Sequence, residues 1–283
     1  MKVIDQTLLE KVIIERSRHS HKGDYGRLLL LGGTYPYGGA IIMSAIAAVK
    51  SGAGLVTVGT DKENLSALHS HLPEAMAFSL QDQQLLKEQL EKAEVVLLGP
   101  GLREDAFGEE LVKRVFDSLR KDQILIADGG ALGILAKAHL PFPSSQLILT
   151  PHQKEWERLS GIVLDHQNTE TTARALSAFP QETILVEKGP ATRIWKAGQP
   201  EYYQLQVGGP YQATGGMGDT LAGMIAGFAG QFHQVSLYER VVVATYLHSA
   251  IAQELAQENY LVLPTEISKL LPKTMKKISQ KGS

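Results

Sequence analysis

The sequence predicts an α/β fold built on a mostly parallel sheet covered by helices on both faces, and three observations carry that expectation. Short, continuously apolar runs such as Leu28-Leu29-Leu30-Leu31 and Val95-Val96-Leu97-Leu98 alternate with longer helix-like stretches, the pattern of strands buried on both sides. Gly- or Pro-containing loops follow these runs at 32–39, 99–101, 129–130, 150–152 and 188–190, and ligands of open α/β sheets bind at that edge. No linker, internal repeat or low-complexity tract breaks the 283 residues, so a single domain over 1–283 is expected.

In order along the chain, residues 7–17 carry apolar positions at helical spacing, and a polar stretch from Ser17 to Asp24 leads into a strand at Arg27–Leu31. After the Gly/Tyr/Pro loop, 40–50 reads as a helix stopped by Ser51-Gly52-Ala53-Gly54 before a strand at 55–58. Helix-like stretches at 82–92, 108–120 and 131–137 precede strands at 95–98, 124–127 and 147–149, and a helix at 170–178 feeds a strand at 183–186. Two short strand-like segments between 192 and 207 suggest a hairpin, and successive helices follow from 216. The Lys-rich tail at 273–281 reads as frayed and solvated.

Composition narrows the function. The formal charge of −2 gives no broad basic field for nucleic acid or anionic lipid, so the expected partner is a small molecule. No apolar run approaches the roughly 20 residues that span a bilayer, and the first residues lack the pattern of a signal peptide, so a cytoplasmic location is expected. With no cysteine there is neither disulfide nor thiolate chemistry. Hydroxyl, carboxylate, imidazole and backbone groups remain.

The strongest local signal is Thr214-Gly215-Gly216-Met217-Gly218-Asp219, a glycine-rich turn entering an apolar helix. The first amides of a helix lack intrahelical partners and sit at the positive end of its dipole, so they attract an anion. Asp219 either caps that helix or accepts a proton from a hydroxyl attacking a bound phosphate. A carboxylate beside an anion site is repelled by its ligand, which favours the chemical role. The loop is neither a Walker nor a dinucleotide motif, since no Lys-Ser/Thr pair ends it and it does not open an N-terminal βαβ unit.

Lys188-Gly189-Pro190-Ala191-Thr192 ends a strand at the same expected edge, where Lys188 could neutralise a nucleotide phosphate; taken alone, the string reads as a structural turn, and its value lies in its position. His152, in Thr150-Pro151-His152, either bonds a substrate or starts a helix carrying Glu155 and Glu157. Asp128 either caps the next helix, the favoured option, or supports a Mg²⁺-bound water. The pairs His19/His21 and His69/His71 offer ligands two apart with no third group placed by spacing, and read as structural or surface residues.

Taken together, His21-Lys22-Gly23-Asp24-Tyr25-Gly26, Gly39-Ala40, Ser51-Gly52-Ala53-Gly54, Gly99-Pro100-Gly101-Leu102, Leu149-Thr150-Pro151-His152, Lys188-Gly189 and Gly215-Gly216-Met217-Gly218-Asp219 resemble, in order and separation, the ADP- or ATP-dependent NAD(P)H-hydrate dehydratases of the ribokinase-like superfamily. The resemblance implies a three-layer α/β/α sandwich that restores NADH or NADPH from the hydrated forms NADHX and NADPHX. It also implies Mg²⁺ and ADP, with ATP as the alternative donor, and a homo-oligomer, a tetramer. By the same resemblance, Ala40, Gly101, His152 and Asp219 contact the hydrate, with Asp219 the catalytic base. Lys188, Gly189, Pro190, Ala191, Thr192, Gly215, Gly216 and Gly218 contact the nucleotide.

Three positions depart from the family pattern: Met217 stands where Thr or Ser is usual, Gln153-Lys154 follow His152 in place of Pro-Gly, and Asp128-Gly129-Gly130 replaces Asp-Ala-Gly. The chain opens directly on the helix preceding His21, without the fused epimerase domain of many relatives, so a stand-alone form is expected. Two other functions fit the same loop: a ribokinase-like kinase of a vitamin precursor or sugar alcohol, and a catalytically silent nucleotide binder.

Overall fold

Successive residues of a strand face opposite sides of its sheet, and the buried strands of this chain divide between two cores accordingly. The computed structural model describes residues 1–138 and 140–281. In β1 (Arg27–Leu31) Leu28 and Leu30 join one core while Leu29 and Leu31 join the other. The same alternation runs through β4 (Val95–Leu98), β5 (Ile124–Ala127), β6 (Gln146–Leu149) and β7 (Ile184–Glu187). Burial on both faces explains why these strands are apolar throughout.

With β2 (Leu55–Thr60), β3 (Met76–Ser79), β8 (Arg193–Lys196) and β9 (Tyr203–Gln204), the strands form one nine-stranded sheet in the order β3-β2-β1-β4-β5-β6-β7-β8-β9. The pairings from β3 to β7 are parallel, and β8 and β9 add an antiparallel edge. The strand order reverses between β1 and β4, the switch point at which such sheets open a ligand crevice.

One face is covered by α1 (Gln6–Val12), α2 (Gly38–Lys50), α9 (Met217–Ala229), α10 (Leu237–Leu255) and α11 (Pro264–Ser279). The other is covered by α4 (Gln83–Lys92), α5 (Ala106–Ser118), α6 (Gly130–Ala138), α7 (Gln153–Ser160) and α8 (Thr169–Leu176). The result is the expected three-layer sandwich. Gly223 of α9 meets the Ser44 backbone of α2 so closely that a Cβ would collide with it, and this contact sets the depth of the helix that begins at the glycine-rich loop 214–219.

Several expectations need correction. The first helix ends at Val12 and not at 17: Ile13 is extended, and two successive β-branched residues followed by a polar stretch give the helix no reason to continue. The helix α3 (Asn64–His71) and the edge strand β3 went unforeseen; α3 has no side-chain N-cap bond and only Leu68 fully buried, and β3 is four residues long. The 273–281 tail is not frayed, since α11 runs to Ser279, with Leu271 and Ile278 buried and Lys276 paired to Glu15 at 2.5 Å.

Candidate active site at the strand ends

The C-terminal ends of β5, β6 and β7 are tied together by side chains. Lys188, following β7, donates from Nζ to Asp128 Oδ1 at 2.9 Å, and Thr150, following β6, donates to the same oxygen at 2.6 Å. Asp128 is almost wholly buried. Its side chain therefore holds a lysine and not a helix start, contrary to the expected cap; only its backbone carbonyl receives the Ala131 amide. A buried carboxylate needs such a cation.

Lys188 also faces the glycine-rich loop 214–219. A Cβ placed on Gly218 would lie 3.1 Å from its Nζ, so glycine at 218 leaves that approach open. Burial opposes the charge on Lys188, but the carboxylates of Asp128, Glu155 and Asp219 outweigh it and hold the ammonium above its ordinary range. Gly216 is the N-cap of α9 with φ +92°, a left-handed conformation suited to glycine. The first intrahelical bond runs from the Thr220 amide to the Gly216 carbonyl, leaving the amides of Met217 and Gly218 ahead of it for an anion.

Asp219 occupies the first turn of α9. Burial pushes its carboxyl up to about 6, with Asp128 adding to the rise and Lys188 and its own backbone amide opposing it. A carboxylate of that strength changes charge close to neutral pH, as a general base should. Ser44 of α2 donates to the Asp219 carbonyl at 2.9 Å and to the Ala40 carbonyl at 3.1 Å, joining the two helix starts. Gly101, with φ +64°, lies against Ala40: a Cβ there would stand 3.0 Å from the Ala40 methyl. Three of the four residues expected at the hydrate thus converge around the α2 and α9 N-termini.

His152, the fourth, is brought beside Lys188 by a parallel bridge between the two residues. It is the N-cap of α7: its Nδ1 accepts from the Lys154 and Glu155 amides at 3.1 and 3.3 Å, while Glu155 Oε2 accepts from the His152 amide at 2.7 Å. Burial, Lys188 and Arg158 lower its pKa, so the ring is neutral at pH 7. With Nδ1 used as an acceptor, the proton of the neutral ring sits on Nε2, which leaves a donor outside the cap bonds. Of the two roles posed by the sequence, the structure shows the cap. Burial also raises Glu155 to about 6, Asp128 adding to the effect against the pull of Lys188.

Beyond Lys188 a cavity of about 550 Å³ extends toward α10, lined by Lys188, Gly189, Pro190 and Thr192, by Gly218, and by the 207–213 segment. Most of the expected nucleotide set therefore meets in one place. Ala191 instead lines a separate recess of about 300 Å³ across the turn, and Gly215 and Gly216 shape the loop without lining the cavity. Ala40, Gly101, His152 and Asp219 also lie outside its lining. Met217 starts α9, lines the cavity and packs against the core, giving an apolar wall where the family pattern has a hydroxyl.

Two strings of the resemblance serve the opposite edge of the sheet. The 3-10 turn Lys22–Tyr25 precedes β1, and the Gly54 amide bonds the Tyr25 carbonyl at 2.9 Å, so these residues support the fold. Sequence reasoning missed the Asp128–Lys188 pair and the α10 wall, where His248 sits in an unbroken helical stretch with no local signal.

Known proteins resemble this chain in sequence and in fold. The NAD(P)H-hydrate dehydratase family profile matches residues 28–273. An ADP-dependent (S)-NAD(P)H-hydrate dehydratase of Streptococcus pneumoniae (strain ATCC BAA-255 / R6) is 80% identical over 99% of this chain and 97% of its own. A crystal structure of a ribokinase-like superfamily protein from Enterococcus faecalis V583 superposes with TM-score 0.94 at 42% identity, covering 99% of this chain and 96% of that one. The ADP/ATP-dependent NAD(P)H-hydrate dehydratase of Bacillus subtilis, co-crystallised with ATP and Mg²⁺, gives TM-score 0.84 at 28% identity, with 97% of each chain covered.

Proposed function

Because the chain belongs to the NAD(P)H-hydrate dehydratase family, we propose that it performs ADP-dependent dehydration of the S-epimer of NADHX and NADPHX, returning NADH or NADPH with AMP and phosphate. The observation that carries this for the chain itself is Asp219, raised to about 6 in the first turn of a helix whose free amides and neighbouring Lys188 suit a phosphate. Asp219 takes the proton of the ring hydroxyl as its oxygen bonds to the β-phosphorus of ADP and AMP departs. The Gly218 amide and Lys188 hold the transferred phosphoryl group. Phosphate then leaves with the carbon–oxygen bonding pair, the adjacent ring carbon gives up its proton to the departing phosphate, and the double bond of the dihydronicotinamide is restored. His152 donates from Nε2 to the bound hydrate, and Ala40 and Gly101 let its ring approach the backbone.

Among the described residues no group of three or more His, Asp or Glu side chains could cage a metal. Mg²⁺ needs few protein ligands when nucleotide phosphates supply the rest, so the site fits an ion carried on ADP. Bound there, it would neutralise charge on the phosphoryl oxygens. We further assign the chain, as one domain, to the cytoplasm, and to a homo-tetramer whose contacts would cover the exposed Tyr260, Leu261 and Leu263. None of its described helices is long and apolar enough to cross a membrane.

The test is to incubate the protein with NADHX, ADP and Mg²⁺ and follow the near-ultraviolet absorbance of dihydronicotinamide together with AMP and phosphate release. Absorbance that never returns refutes the dehydratase, and a stable phosphorylated product would mark a kinase of the same superfamily.

A further inference from the structure

The cavity beside α9 has one wall that phosphate binding leaves unused. From α10 come Thr245, His248 and Ser249, and the lining also includes the apolar side chains of Pro190, Val207 and Leu221. His248 is 5% exposed, and its Nε2, shielded from solvent, finds no hydrogen-bond partner among the described residues. Such orphaned polar atoms are rare in folded proteins and call for a ligand or a water.

Burial pulls the His248 pKa down to about 4, the Lys188 charge adding to it against a backbone hydrogen bond with Met217, so the ring stays neutral. A neutral imidazole nitrogen either donates or accepts one hydrogen bond. A wall that sets a buried imidazole among apolar side chains suits a flat heteroaromatic ring that carries polar atoms on its edge. The phosphate-facing groups, Lys188 and Gly218, line the same cavity, so a ligand anchored there by its phosphates extends its base toward α10.

Resting on the assignment of this cavity to a nucleotide, we propose that His248 hydrogen-bonds the polar edge of the adenine base and thereby reads the base of the phosphoryl donor. The phosphates supply anchorage, and His248 supplies discrimination. A ligand with the same phosphates and no base leaves Nε2 as it is in the empty protein.

The experiment compares ADP with ribose 5-diphosphate by titration calorimetry. His248→Phe should weaken ADP about ten-fold, the usual scale for losing a hydrogen bond at a buried group, and leave ribose 5-diphosphate unchanged. His248→Gln, which carries an amide near the Nε2 position, should recover most of the ADP affinity. Full ADP affinity in His248→Phe, or equal weakening of both ligands, overturns the proposal. Should the phenylalanine variant not fold, the ring resonances of His248, assigned by their loss in His248→Gln, must shift with ADP and stay in place with ribose 5-diphosphate; any other pattern overturns it. The activity assignment fails separately: a protein that binds ADP through His248 yet restores no dihydronicotinamide loses the dehydratase function and keeps this one.

Discussion

Lys188 Nζ stands 2.9 Å from Asp128 Oδ1 although the two residues end strands that are separated in the sheet by a third, β6, whose following residue Thr150 bonds the same carboxylate. The pair fixes three strand ends in place and aims the ammonium at the phosphate loop. Lys188→Met should therefore do two kinds of damage. Nucleotide affinity should fall in calorimetry, and the folded state should lose about 3–5 kcal/mol in denaturant titration, because Asp128 is left buried and unpaired. In an Asp128→Asn background the stability loss should be much smaller; equal losses in both backgrounds would show that the pair is not coupled.

Asp219→Asn separates chemistry from folding. As the proposed base, its loss should lower kcat by roughly 10²–10⁴-fold, while wild-type turnover would refute the assignment. Stability should move the other way. The folded-state pKa is raised above the ordinary value of 3.8 to about 6, so the charged form is disfavoured in the fold, and that penalty builds as pH rises from about 4 through 6. At pH 7 asparagine should stabilise by on the order of 1 kcal/mol, after discounting for partial exposure, and thermal melts read the difference.

The pH dependence follows from the same group. Asp219 acts as a base only when ionised, so kcat/KM should fall about ten-fold per pH unit below about 6 and level off above it. An acid limb near the ordinary aspartate range would mean that Asp219 is solvated in the free enzyme.

His152 can be divided into its two functions. His152→Asn keeps a good N-cap for α7 but removes the Nε2 donor, so stability should stay near wild type while KM for the hydrate rises. His152→Ala removes both, and should lose in addition about 1 kcal/mol of stability. Nitrogen NMR should find the proton of the neutral ring on Nε2; a proton on Nδ1 would contradict the cap bonds at 3.1 and 3.3 Å.

The glycine turn into α9 was legible because glycines entering a helix carry their meaning locally, and the position of Lys188 because it ends an apolar strand. The role of Asp128 was not. It depends on which strands are neighbours, and periodicity gives the strands but not their order. His248 was hidden for another reason, since the same helical spacing describes a core histidine and one that walls a cavity. The misplaced end of α1 and the missed α3 and β3 are failures of short elements whose burial is decided by tertiary packing.

Three carboxylates, Asp128, Glu155 and Asp219, bear on the single ammonium of Lys188. An ADP molecule approaching that group brings more negative charge to a place that already has an excess, so binding must be accompanied by positive charge from elsewhere. Two of the acids are held at about 6 and can take up protons near neutrality. Nucleotide capture should therefore draw in a proton or the counter-ion that ADP carries, so mild acidity should favour donor binding in the same range where it costs the base.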